Sequence, residues 1–158
     1  MKNLPLSLLS LLFIFSCSEN DSYSARVLNA DTENESWLLH GRTYDESRFS
    51  PLKDINDSNV AGLGLAWSFE TGTNRGHETT PIVVDGMMFI SAPWSVVFAL
   101  NPITGEKIWS FDPQADKAWA RNACCDVVNR GVAVWEDQVI IATIDGRLIS
   151  LNKNSGEV

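Results

Sequence analysis

Short apolar runs recur along this chain at a constant interval, and turn residues separate them. Ile82-Val83-Val84 and Met87-Met88-Phe89-Ile90-Ser91 flank the pair Asp85-Gly86. At an offset of 51 residues, Ala133-Val134-Trp135 and Gln138-Val139-Ile140-Ile141-Ala142 flank Glu136-Asp137. The segment Ala99-Leu100-Asn101-Pro102-Ile103-Thr104-Gly105-Glu106 returns as Ser150-Leu151-Asn152-Lys153-Asn154-Ser155-Gly156-Glu157 at the same offset of 51. Each unit reads as strand, turn, strand, polar gap, strand, turn. Asp85-Gly86, Asp145-Gly146, Thr104-Gly105 and Ser155-Gly156 supply the turn chemistry.

The first unit runs on into Ile108-Trp109-Ser110-Phe111, and Ala66-Trp67-Ser68-Phe69 is an earlier copy of that ending, 42 residues upstream. Four short strands per unit at this period predict an all-β chain built from β-propeller blades. The sequence holds two blade motifs and part of a third. A closed propeller typically needs about 4–8 blades. The pattern breaks off at Val158, directly after a turn, and reads as a truncated fragment of a longer chain. Trp67 and Trp109 read as packing residues between neighbouring blades. No long amphipathic helix is predicted between Leu39 and Val158.

The N-terminus has a different character. Met1-Lys2-Asn3 precedes an apolar run from Leu6 to Phe15, and Ser16-Cys17-Ser18 follows. This is the layout of a secretory signal, too short to span a bilayer as a helix. Ile14-Phe15-Ser16-Cys17 is similar to a bacterial lipobox, in which Cys17 would be lipidated; an ordinary signal peptide with an incidental cysteine is the other reading. Residues 18–36 are rich in Ser, Asn, Asp and Glu and predict a polar tether. The predicted division is a signal peptide over 1–17, the tether over 18–36 and the propeller portion over 37–158. The formal charge of −8 argues against a nucleic-acid partner, since phosphate binding needs basic patches.

Cys124 and Cys125 are adjacent, in the run Cys124-Cys125-Asp126-Val127-Val128-Asn129-Arg130-Gly131. Consecutive Cα atoms lie about 3.8 Å apart across a trans peptide, below the usual disulfide range of about 4.4–6.8 Å. A bridge between them would be strained, and such strain tends to persist at functional sites. Export to an oxidising compartment favours the bridge. Reduced, the pair is a soft dithiol able to handle metal. Both states stay open on the residues alone.

Four stretches together resemble the quinoprotein alcohol dehydrogenases, the methanol/ethanol dehydrogenase family that uses pyrroloquinoline quinone (PQQ). They are Gly41-Arg42-Thr43-Tyr44-Asp45-Glu46-Ser47-Arg48-Phe49-Ser50-Pro51-Leu52 with Ile55-Asn56 and Val60; Arg75-Gly76-His77-Glu78-Thr79-Thr80-Pro81; the Ala99 to Trp109 repeat; and Cys124 to Gly131. The match runs from about Trp37 to Val158.

The resemblance implies an eight-bladed β-propeller with PQQ near its axis, of which this chain is the N-terminal part. It implies that Cys124 and Cys125 form a disulfide against one face of the planar cofactor, a role suited to polarisable sulfur. Arg130 matches the arginine that donates to the reactive quinone carbonyl, where a permanent cation stabilises developing negative charge. Glu78 matches a glutamate at the cofactor's edge. Asp126 and Asn129 are expected to hold the turn. Calcium or a lanthanide, with its ligands, and the catalytic base belong to later blades, so no catalytic or metal-ligating residue is assigned here. Electrons would pass to a periplasmic acceptor such as a c-type cytochrome. No Cys-x-x-Cys-His haem site occurs in these residues.

His77 beside Glu78 imitates a catalytic dyad, but adjacent side chains on a strand point to opposite faces. His40 is expected to be structural. The competing reading is a non-catalytic PQQ-like propeller lipoprotein serving outer-membrane assembly. It accounts for the repeats and the lipobox but not for a strained cysteine pair beside Arg130. Sugar-oxidising quinoproteins share the repeat and the Gly41–Leu52 opening. They are not expected to carry adjacent cysteines, which points the substrate class toward alcohols.

Overall fold

The computed structural model describes residues 23–158; the signal segment, the lipobox with Cys17, and the start of the tether lie outside the described residues. Seven strands form two antiparallel meanders. The first contains β1 (Ile82–Val84), β2 (Met87–Ser91), β3 (Val97–Leu100) and β4 (Lys107–Phe111), in that spatial order. The second contains β5 (Ala133–Trp135), β6 (Gln138–Ala142) and β7 (Leu148–Asn152). β1, β2 and β5, β6 begin 51 residues apart, as do Val97 of β3 and Leu148 of β7, as the repeat predicts. This is the all-β blade architecture expected from the sequence.

The turns explain the register. Asp85 and Gly86 take φ of 51° and 73°, the left-handed pair that closes a two-residue hairpin, and Val84 pairs with Met87 across it. Asn101 and Asn152 each cap a turn with the side-chain oxygen. Asn101 Oδ1 accepts from the Ile103 and Thr104 amides at 2.8 and 3.2 Å. Asn152 Oδ1 accepts from Asn154 and Ser155 at 2.9 and 3.0 Å. Gly105 and Gly156 follow at the same φ of 73°.

Those glycines receive the tryptophans. A Cβ on Gly105 would lie 2.5 Å from Cε3 of Trp67, and one on Gly156 would lie 2.7 Å from Cε3 of Trp109. Trp67 Nε1 donates to the Pro102 carbonyl at 3.1 Å, and Trp109 Nε1 to the Lys153 carbonyl at 2.9 Å. Each indole therefore locks one unit onto the next, the packing role expected of it. Ala66-Trp67-Ser68-Phe69 differs from its copy in β4: it joins no ladder, and of the third blade motif only the indole docking is realised. Extended backbone becomes a strand only beside a partner, and no neighbouring strand flanks it among the described residues.

The core runs through both sheets. Phe89, Val97, Ala99, Val139 and Ile141 are fully buried, with Trp109, Val134 and Leu151 packed among them. β3, the third strand of its sheet, is buried along its whole length, whereas β1 buries alternate residues.

The polar tether expectation is corrected over Tyr23–Thr32. A helix, α1 (Tyr23–Leu28), and a short 3₁₀ turn (Ala30–Thr32) pack on the core. Tyr23, Val27 and Ala30 are 2–4% exposed and lie at i, i+4 and i+7, a narrow apolar stripe that a polar average conceals. Tyr23 donates to the Leu38 carbonyl at 2.9 Å and stacks against Trp135, 5.7 Å between ring centres. Arg26 pairs with Glu33 and, at 3.0 Å, with Asp85 in the first hairpin. Lys153 of the second unit meets the same Asp85 at 2.6 Å. Buried Arg42, from the Gly41–Leu52 stretch, donates to the Ala30 carbonyl and pairs with Asp31.

Candidate functional site

The connection between the two sheets, residues 112–132, carries the cysteine pair and Arg130. Its second half is held tightly. Val127 is 1% exposed. Asn129 uses its amide nitrogen twice, donating to Ser95 Oγ at 3.2 Å and to the Ala142 carbonyl at 2.9 Å. Its side-chain oxygen accepts from the Gly131 amide at 3.1 Å, and its carbonyl accepts from Ser91 Oγ. The Thr80 amide donates to the Arg130 carbonyl at 3.2 Å. Gly131, at φ 135°, leaves room for that approach: a Cβ there would sit 3.3 Å from the Thr80 carbonyl oxygen. Asn129 thus holds the turn, as expected; Asp126 instead reaches out of it to Arg75.

These ties bring the Arg130 guanidinium to Glu78, 3.2 Å away, from the stretch that leads into β1. Arg130 stays largely exposed. Cys124 and Cys125 are exposed free thiols in this structure, their sulfurs 2.7 Å apart. The Cys125 thiol is pushed up by its hydrogen bond with Cys124 and by that neighbour's charge; Arg130 opposes the shift and Glu78 adds to it. Glu78 and Arg130 are thus brought together, and Cys124 and Cys125 lie on the same connection, just upstream of Arg130. His77 is turned elsewhere, its Nε2 2.8 Å from Thr71 Oγ1. His40 meets Arg48 at 3.2 Å and also lines the cleft that Arg130 borders.

A cleft of about 450 Å³ beside this cluster is lined by Thr80, Asn129, Arg130 and Gly131 on its polar side and by Ile82, Val132 and Ile140 on its apolar side. The exposed Arg130 guanidinium gives this cleft a permanent cation with N–H donors, suited to a carbonyl or anionic group of a ligand; Glu78, Cys124 and Cys125 are not among its lining residues. Three further residues shape the site without having been singled out: Arg75, Trp94 and Ser95. Arg75 pairs with Asp126 and lies over the Trp94 ring. Trp94 and Ser95 take left-handed φ of 65° and 62°. Nothing in the sequence around Pro93-Trp94-Ser95 announces that conformation, because the usual residues for it are Gly and Asn.

Residues 37–158 match the family described as glucose/ethanol/alcohol dehydrogenase, beta-propeller domain. The chain belongs to this PQQ β-propeller family. Quinohemoprotein alcohol dehydrogenase ADH-IIG of Pseudomonas putida is 53% identical over 133 residues, 84% of this chain and 18% of that protein. The 1-butanol dehydrogenase (cytochrome c) of Thauera butanivorans is 47% identical over 121 residues, 77% of this chain and 18% of that protein. The solved ADH-IIG structure superposes with a TM-score of 0.82 over 84% of this chain and 19% of that one. A europium-containing methanol dehydrogenase superposes at 0.78 with 35% identity, over 84% of this chain and 24% of that one. The chain thus spans about a fifth of the length of the relatives it matches. The family's propeller is the fold that the repeat predicted.

Proposed function

We propose that this chain is the part of an exported PQQ-dependent alcohol dehydrogenase that supplies one face and one edge of the cofactor site. The observation that carries the reading is the pairing of Arg130 with Glu78, distant in sequence, on the connection that also bears Cys124-Cys125. Bound PQQ would supply a quinone that accepts a hydride from the alcohol.

The chain's own residues have separable tasks. Arg130 offers rigid N–H donors and a permanent cation, so it can stabilise negative charge on an adjacent quinone oxygen without any proton changing place. Glu78 holds that guanidinium in its present direction and marks the cofactor's edge. Cys124 and Cys125, oxidised to a disulfide in the periplasm, form an uncharged sulfur lid. Forming the bridge also removes two titratable thiols from the face of the cofactor. Asn129 keeps the loop from sagging into the cleft.

The acceptor is a c-type cytochrome or similar periplasmic carrier, as the names of the relatives suggest. Calcium or a lanthanide accompanies PQQ, on ligands outside this chain. The signal-like start supports a periplasmic address, with lipid on Cys17 as an anchor. Purified full-length protein, loaded with PQQ and metal, tests the reading by alcohol-dependent dye reduction. Arg130→Ala is expected to lower kcat by about 10²–10³, the usual cost of removing one such donor. Cys124→Ala with Cys125→Ala should impair turnover. Unchanged turnover with normal PQQ content would sink the lid assignment, and a wild type that neither binds PQQ nor reduces dye would sink the whole reading.

A further inference from the structure

The loop that bears the cysteine pair is held unevenly. From Val127 onward it is tied by burial and hydrogen bonds. Cys124, Cys125 and Asp126 are exposed, and Asp126 itself is left-handed at φ 69°. Asp126 reaches across to Arg75, which comes from the stretch before β1. The Arg75 guanidinium carbon lies 5.9 Å from the centre of the Trp94 ring, within the range of a cation–π contact. The Trp94 amide donates to the Val127 carbonyl at 2.9 Å, one residue past Asp126. The contacts close a circuit: Asp126 to Arg75, Arg75 to Trp94, and Trp94 back to Val127.

The circuit is anchored in a strained turn. Two consecutive residues with side chains, Trp94 and Ser95, are left-handed, a conformation disfavoured for both. Such strain persists only where the surroundings impose it. Here the Ala92 amide donates to the Val96 carbonyl at 2.7 Å and the Ser95 amide to the Ala92 carbonyl at 3.1 Å, pinching the turn shut. Ser95 is 1% exposed and its hydroxyl accepts from Asn129. The turn therefore has three outputs: an amide to Val127, a hydroxyl to Asn129, and an indole face to Arg75 and, 6.0 Å from the ring centre, to Lys117 of the same loop.

We infer that Arg75 and Trp94 are positioning residues that aim the Cys124-Cys125 segment at the cofactor, with Asp126 as the handle through which they act. This rests on the PQQ reading above. Neither residue lines the cleft that Arg130 borders. Arg75 needs both its charge, for Asp126, and its flat face, for Trp94, so lysine replaces it incompletely.

The test uses the full-length protein, stripped of cofactor and titrated with PQQ in the presence of calcium while tryptophan fluorescence is followed. Arg75→Ala and Asp126→Asn are each expected to weaken PQQ binding about fivefold, the scale of one exposed ion pair. Arg75→Lys should fall between wild type and Arg75→Ala. The KM for alcohol at saturating PQQ and the Tm of the cofactor-free protein should stay at wild-type values. Unchanged PQQ affinity in both variants, with a wild type that binds PQQ, overturns the inference and leaves the enzyme reading standing. A loss of affinity that follows a falling Tm also overturns it, since the residues would then be merely structural. A wild type that fails to bind PQQ removes both.

Discussion

Adding one methyl group at Gly105 tests the docking of one blade on the next. Gly86, Gly105 and Gly156 share a φ of 73°, so alanine at each meets the same backbone penalty. That penalty is about 1–2 kcal/mol for a residue with a Cβ in the left-handed region. The surroundings differ. Nothing lies within 4 Å of a Cβ at Gly86, whereas at Gly105 it would meet Cε3 of Trp67 at 2.5 Å and Cδ2 at 2.6 Å. Those atoms belong to the fused part of the indole, near its attachment, and cannot swing away as a chain end could. Moving the ring also breaks the hydrogen bond from Trp67 Nε1 to Pro102. Overpacking of this kind costs about 1–3 kcal/mol beyond the backbone term. Gly105→Ala should thus destabilise by about 2–5 kcal/mol, and Gly86→Ala by about 1–2 kcal/mol. Urea denaturation of the full-length protein, followed by tryptophan fluorescence, measures both. Equal midpoints at an unchanged m-value would refute the claim that the glycine exists to receive the indole.

Other consequences are equally open to measurement. Trp109→Phe keeps the apolar ring but leaves the Lys153 carbonyl without its 2.9 Å donor, and should cost about 1–3 kcal/mol by the same denaturation assay. The α1 clasp should loosen in acid. The hydrogen bond from Arg26 lowers the Glu33 carboxyl; burial pushes Asp85 up, but Lys153 and Arg26 outweigh it, so its carboxyl is also lowered. Groups lowered on folding add stability above the unfolded carboxylate range and lose it as pH falls through their folded values. Proteolysis near Tyr23 should therefore accelerate below about pH 4 and not between pH 6 and 8; a flat profile through pH 3 would discount the clasp. Asp145, held down to about 2 by Arg147 and Thr143, should remain ionised through about pH 3 in a carboxylate titration, and protonation above that would discount the Arg147 contact. Thiol titration of unfolded, exported protein should find neither Cys124 nor Cys125 free, and two reactive thiols would contradict the bridge.

The periodic part of the molecule was legible because each turn repeats its chemistry. Asn101 and Asn152, and Gly105 and Gly156, announce the same turn at matching positions, and the structure realises it at each; Trp67 and Trp109 dock alike although only Trp109 lies in a strand. α1 was hidden for the opposite reason: its stripe of Tyr23, Val27 and Ala30 is diluted by Ser, Asn and Asp, and composition averages over spacing. Glu78, Cys124, Cys125 and Arg130 could be singled out through resemblance, but the pairing of Glu78 with Arg130 could not be derived from spacing. It depends on Asn129 and Thr80, whose bonds cross between sheets. Trp94 and Arg75 were illegible, because a left-handed tryptophan is a product of tertiary constraint and carries no local signature.

The location of the cluster follows from this division. A repeat that docks an indole on a glycine makes every blade alike, which gives rigidity but nothing particular to bind. Chemistry has to enter where the repeat lapses, and residues 112–132 are such a lapse. A loop placed on a rigid scaffold can carry reactive groups, provided the scaffold grips it. Val127 and Asn129 tie it to the β2–β3 connection and to β6, and Arg75, from the stretch before β1, ties it through Asp126. Cys124, Cys125 and Arg130 stay exposed, while Val127 and Asn129 between them hold the loop.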